Sequence, residues 1–157
     1  MRPPPLTPLA AAVLHVPVPE RALEIECGEG EGTLFLSREF PRARVRGADS
    51  SAASIRAASS RVGLDPEGRI AFRAATPRRL PYPDAHFDLV VQRRGLAVLA
   101  ETARVLRPGG LLLIAAGLRG RGPLGIPLSL ARLLPWHGFE PARQAAGEFL
   151  LSRLPDS

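Results

Sequence analysis

A short strand that runs into glycines at every second position, with a second strand ending in an acid about 20 residues later, narrows this chain's fold more than any other feature. The first strand is read over residues 21–27 (RALEIEC), and the loop that follows is Gly28-Glu29-Gly30-Glu31-Gly32. At Gly28 and Gly30 the backbone can approach a ligand where a β-carbon would collide with it. The second strand, 44–49 (RVRGAD), closes on Asp49, whose carboxylate can accept both hydroxyls of a ribose. A tight turn and an ordinary capping Asp would leave the same letters, so the rest of the chain has to discriminate.

The rest alternates strand and helix. An apolar helix is expected over 6–16, stopped by Pro17 and Pro19. The first loop leads into a helix over 32–39 that Pro41 halts, and the second strand into one over 50–62, capped by serines and ended by Gly63. Further strands are read at 69–73, at 87–92 (FDLVVQ) and at 111–116, the last two continuous apolar runs of the doubly buried kind. A Pro-rich stretch over 74–85 forms no regular element, 96–106 is a helix, and Pro108-Gly109-Gly110 is a turn. A loop and short helix cover 123–134, and two strands, 139–144 and 148–153, form a closing hairpin around Gly147. This order predicts a mainly parallel sheet with helices on both faces, binding its ligand beyond the carboxyl ends of the strands where strand order reverses.

Composition removes several alternatives. The 157 residues suit one domain over 1–157, with 1–20 as Pro-rich lead-in and first helix, and 45% hydrophobic residues suit a globular chain. No apolar run approaches the roughly 20 residues of a membrane span. Pro3, Pro4 and Pro5 break any signal-peptide pattern at once, so a cytoplasmic protein is expected. Cys27 is the single cysteine, which excludes an internal disulfide, and with three scattered histidines it gives no metal-ligand spacing. The net charge of +6 comes entirely from dispersed arginines and aromatics make up 5%, so a nucleic-acid surface is not expected.

Between nucleoside cofactors, the loop favours one without phosphate. A nicotinamide dinucleotide would want a third glycine where Thr33 stands, and a helix N-terminus free for its pyrophosphate. Glu24, Glu26, Glu29 and Glu31 oppose a pyrophosphate but not a ligand carrying a sulfonium and an ammonium group.

At this point the sequence resembles the class I S-adenosylmethionine-dependent methyltransferases, in particular their small-molecule branch related to quinone-biosynthesis enzymes. ALEIECGEGEG (22–32) is similar to the family's first motif and RVRGADSS (44–51) to its second-strand acid. RRLPYPDAHFDLVV (78–91) resembles the loop entering its fourth strand, and ARVLRPGGLLLIA (103–115) the lead-in to its fifth. GFEPARQAAGEFLLSR (138–153) resembles its closing hairpin. The resemblance implies a Rossmann-like, doubly wound, mostly parallel sheet with a C-terminal antiparallel hairpin, in a three-layer α/β/α sandwich. It implies S-adenosyl-L-methionine as cofactor and methyl transfer to an unidentified small molecule. By family position, the backbone at Cys27, Gly28 and Gly30 lines the methionine end, Asp49 holds the ribose, residues 75–77 border the adenine and Gln92 lies beneath the methionine, with Glu24, Glu26, Ser50 and Thr76 counted among the cofactor-binding residues.

Three departures accompany the match. Glu26 stands where the family has its first glycine. A carboxylate there, about 4 Å from the cofactor's own, would cost on the order of 4 kcal/mol, a several-hundredfold loss of affinity. Ala75-Thr76-Pro77 replaces a Gly-Asp-Ala type sequence, so Thr76 can accept from the adenine amino group only without charge. Gln92-Arg93-Arg94-Gly95-Leu96 runs almost directly into the next helix, trimming the segment that usually helps form the acceptor pocket. These motivate a second reading, a catalytically degenerate binding or assembly module. His86, near the expected cofactor mouth, is a candidate general base weighed against an exposed loop residue. His137 beside Trp136, His15, Cys27 and Tyr82 are read as packing or surface positions.

Overall fold

The computed structural model describes residues 6–95, 97–115, 133–140, 143–145 and 149–156. Its elements in chain order are α1 (Thr7–Ala12), β1 (Arg21–Ile25), α2 (Glu31–Glu39), β2 (Arg44–Asp49), α3 (Ala52–Ser60) and β3 (Ile70–Ala74). There follow β4 (Phe87–Gln92), α4 (Leu99–Val105), β5 (Leu106–Ile114), β6 (Arg143–Ala145) and β7 (Phe149–Arg153). Single 3-10 turns lie at Val13–His15 and Pro135–His137.

All the strands form one sheet in the order β3-β2-β1-β4-β5-β7-β6. The first five in sequence pair in parallel, and β7 pairs antiparallel with both β5 and β6. Strand order reverses between β1 and β4. The registers Ile25↔Gln92, Ile25↔Ala48 and Asp49↔Ala74 bring the carboxyl ends of β1, β4, β2 and β3 to one edge. Side chains alternate across the sheet, as the pleat requires. Leu23, Ile25, Val90 and Leu112 face a core shared with Leu99 and Val105 of α4 and Leu80 of the Pro-rich loop. Ala22, Leu89, Val91 and Leu113 face the other, shared with Leu9 and Ala12 of α1 and Leu36 of α2. The expected doubly wound, three-layer arrangement with a C-terminal antiparallel pair is therefore present.

Several bounds differ from the sequence reading, each for a local reason. β1 ends at Ile25 rather than at position 27, because Glu26 turns into the left-handed region (φ 57). Ser51, not Ser50, caps α3, accepting from Ser54 N at 3.1 Å. The turn expected at 108–110 is a bulge inside β5. Phe87 pairs with Leu106 and Leu89 with Leu111, while left-handed Gly109 (φ 82) donates its N–H to Leu154 O at 2.7 Å. α4 starts at Leu99 rather than at 96, and the penultimate strand is Arg143–Ala145 rather than 139–144. Most of the segment expected as loop and helix over 123–134, and Gly147, lie outside the described residues.

Candidate functional site

The loop leaving β1 reverses direction through three left-handed residues in alternation, Glu26 (φ 57), Gly28 (φ 57) and Gly30 (φ 91). Such φ values cost an L-residue about 1–2 kcal/mol and glycine nothing, which accounts for the spacing and marks Glu26 as its exception. Cys27 N donates to Ala48 O at 3.0 Å and Gly30 N to Cys27 O at 3.0 Å, tying the loop to β2 and to itself. Cys27 is buried, and burial raises its thiol pKa, so it remains a small apolar thiol.

Glu26 lays its carboxylate against Gly95, on the loop that leaves β4 at the same sheet edge. The carboxylate occupies the space that a β-carbon on Gly95 (φ 77) would need. Partial burial and the nearby Asp49 raise its pKa, and Arg94 opposes the rise. The other acids of the loop disperse. Glu24 turns beneath α2, Glu31 pairs with Arg61 at 3.2 Å, and Glu29 is exposed.

Asp49 is fixed at the end of β2 by the backbone around it. Gly28 N donates to its Oδ2 at 2.9 Å and Ser51 N to its Oδ1 at 2.8 Å, while Ala75 N donates to its carbonyl at 2.9 Å. Each carboxylate oxygen retains a further lone pair, the acceptor capacity a diol requires. Exposed Ser50 and Thr76 flank it, and Thr76 is held in a small bridge with Arg79. A β-carbon on Gly30 would strike the Phe72 ring at 2.8 Å, so that glycine serves packing of the loop against β3.

Beneath the loop lies a buried ion pair. Glu24 accepts from Thr33 Oγ1 at 2.8 Å and from Arg93 Nη1 at 3.5 Å, and both charged residues are almost wholly inaccessible. Gly32 makes room for them, since a β-carbon there would meet Glu24 Oε2 and lie 2.7 Å from Arg93 Nη1. Burial pushes the Glu24 carboxyl up to about 7, with Arg93 and Thr33 pulling it partway back. Glu24 therefore braces the loop from below. Gln92, also buried, ends β4 and donates from Nε2 to Arg94 O at 3.1 Å.

Arg94 crosses the crevice mouth. Its Nε donates to Glu26 O at 3.1 Å and its Nη2 lies 3.6 Å from Asp49 Oδ2. A β-carbon on Gly28 would run into the same guanidinium. Away from the crevice, Arg104 and Glu101 of α4 clamp the Pro-rich loop. Leu80 N donates to Glu101 Oε2 at 2.6 Å, and Arg104 donates to Leu80 O at 3.0 Å and Tyr82 O at 2.9 Å.

His86 lies elsewhere. It precedes Phe87, the first residue of β4, so it sits at the sheet edge opposite the crevice, its ring edge-on to Phe87. A base role at the crevice is thereby excluded. His15 and His137 are exposed in the 3-10 turns, and Tyr82 packs edge-on against Phe87. Among the described residues no group of His, Cys, Asp and Glu could hold a metal ion.

Glu26, Cys27, Gly28, Asp49, Ser50, Thr76 and Gln92 thus gather at one sheet edge. Glu24 lies under it, and Gly30 faces Phe72. Sequence reasoning missed Thr33, Arg93, Arg94 and Gly95 as members of this edge. The available signal was QRRG at the carboxyl end of a buried strand, next to a loop holding four carboxylates.

The family described as methyltransferase domain matches residues 22–110. The chain is 32% identical over 136 residues to 27-O-demethylrifamycin SV methyltransferase of Amycolatopsis mediterranei, covering 82% of this chain and 50% of that protein. It is 33% identical over 124 residues to demethylmenaquinone methyltransferase of Deinococcus radiodurans, covering 71% and 51% respectively. A SAM dependent methyltransferase from Aquifex aeolicus superposes with a TM-score of 0.75 at 16% identity, over 92% of this chain and 88% of that one. The chain spans about half the length of the two curated relatives.

Proposed function

The chain belongs to the methyltransferase-domain family, and from that premise we propose that it transfers a methyl group from S-adenosylmethionine to a small organic molecule. The observation that carries this reading is Asp49, at the end of the strand next to the strand-order switch, its carboxylate oriented by two backbone N–H groups and facing a single displaceable guanidinium. Relatives named for a demethylated rifamycin and for demethylmenaquinone support a small-molecule acceptor. Among the described residues no helix is long and apolar enough to cross a membrane.

When bound, the cofactor supplies an electrophilic methyl group on a cationic sulfur. The chain's own part is to hold and shield it. Asp49 takes the ribose hydroxyls, with Ser50 beside it, and the backbone at Cys27 and Gly28 lines the methionine end. Thr76 borders the adenine, and Gln92 closes the crevice from below. Glu24 and Arg93, buried beneath α2, keep that loop from shifting. Orientation and exclusion of water carry most of the work in such a transfer, because the leaving group is already activated. The competing reading, a degenerate binding module, rests on Glu26, Thr76 and the short 92–96 segment, and the family match and the named relatives favour the enzyme over it. S-adenosylmethionine should raise the melting temperature of the protein, and Asp49→Ala should abolish the shift. Equal shifts in both proteins would refute the assignment of Asp49.

A further inference from the structure

The space that Gly28 leaves open by lacking a side chain is filled by Arg94. A β-carbon on Gly28 would lie 2.9 Å from Arg94 Cζ and in closer collision with Nη2. The same guanidinium reaches Glu26 O through Nε and comes within 3.6 Å of Asp49 Oδ2. It therefore stands on the open face of the glycine loop and beside the carboxylate assigned to the ribose. The Arg94 side chain is 31% exposed, so it has solvent to swing into.

We propose that Arg94 is an affinity-setting residue of the crevice, a cation that the cofactor has to displace from Gly28 and Asp49. This rests on the assignment of the crevice to S-adenosylmethionine made above. Binding is then an exchange, in which Asp49 gives up the guanidinium and gains the ribose hydroxyls. The guanidinium also offsets part of the rise that burial and Asp49 impose on the Glu26 carboxyl. The part-exposed ion pair makes a modest term of this exchange, and the space over Gly28 adds a steric one.

The test is calorimetric titration of the full chain with S-adenosylhomocysteine, comparing wild type with Arg94→Ala at low and high salt. Arg94→Ala is expected to bind at least about threefold tighter. Wild-type affinity should rise with salt, because screening loosens the Arg94–Asp49 pair, and Arg94→Ala should lack that rise. A purely structural role for Arg94 would not produce this difference in salt dependence. Equal or weaker binding by a variant that melts like wild type would overturn the proposal while leaving the crevice assignment intact. No binding by either protein would overturn the crevice assignment, and this proposal with it. Should Arg94→Ala fail to fold, Arg94→Gln gives the same comparison, because it retains a donor for Glu26 O.

Discussion

The carboxylate of Glu26 and the missing side chain of Gly95 are complementary: the first occupies the volume that the second leaves empty. The two residues lie on the loops that leave β1 and β4, the neighbouring strands at the reversal of strand order. Both have left-handed backbone, φ 57 and φ 77.

Gly95→Ala should destabilise the protein by about 1–3 kcal/mol, through backbone strain and collision with Glu26. Glu26→Gly should stabilise it by about 1 kcal/mol, since glycine adopts that φ freely. In the double variant the collision is gone, so only the strain at position 95 remains. Urea unfolding of the four proteins would give a coupling of at least about 0.5 kcal/mol. Strict additivity would show that the two side positions do not touch.

Glu24 makes stability depend on pH. Its carboxyl is raised from 4.5 to about 7, so between those values the folded state binds more protons than the unfolded one. Stability then falls as pH rises through that window, by up to about 3 kcal/mol, and levels off above it. Glu26, also raised, acts in the same direction. Asp65 and Glu101 are lowered, so their contributions are lost only in more acid solution. Urea unfolding at about pH 5 and about pH 8 should show the drop in wild type and a smaller one in Glu24→Gln. An unchanged slope in that variant would assign the dependence elsewhere.

Arg104 ties the Pro-rich loop to α4 through the carbonyls of Leu80 and Tyr82, while bonding Glu101 at 2.7 Å. Arg104→Ala should speed hydrogen exchange at the Leu80 amide, which Glu101 accepts, and cost about 1–3 kcal/mol of stability. Arg104→Lys keeps the charge but not the fork, and should fall between the two. Unaltered exchange at Leu80 in Arg104→Ala would show that Glu101 alone holds the loop.

Local patterns carried much of this fold. β2 and β4 occur at the bounds read from the chain, because each is a short segment, alternating in β2 and largely apolar in β4, closed by a polar residue at the sheet edge. The bulge in β5 was hidden, since it depends on hydrogen bonds between Gly109–Gly110 and Leu154, far along the chain. Asp49 could be recognised from its distance behind the glycine loop. The directions taken by Glu24, Glu26 and Arg94 could not, because each is set by a partner from another strand end: Arg93, Gly95 and Asp49 respectively. His86 was misplaced for a simpler reason. Proximity to β4 in sequence does not say which end of the strand is meant.

The central claim is that the edge formed by the β1 loop and Asp49 receives the cofactor. Titration of isotope-labelled protein with S-adenosylhomocysteine, followed by amide NMR, tests it directly. The amides of Gly28, Ser51 and Ala75, which hydrogen-bond Asp49, should shift together and saturate along one binding curve. Shifts confined to another part of the molecule, or none at millimolar ligand, would contradict it.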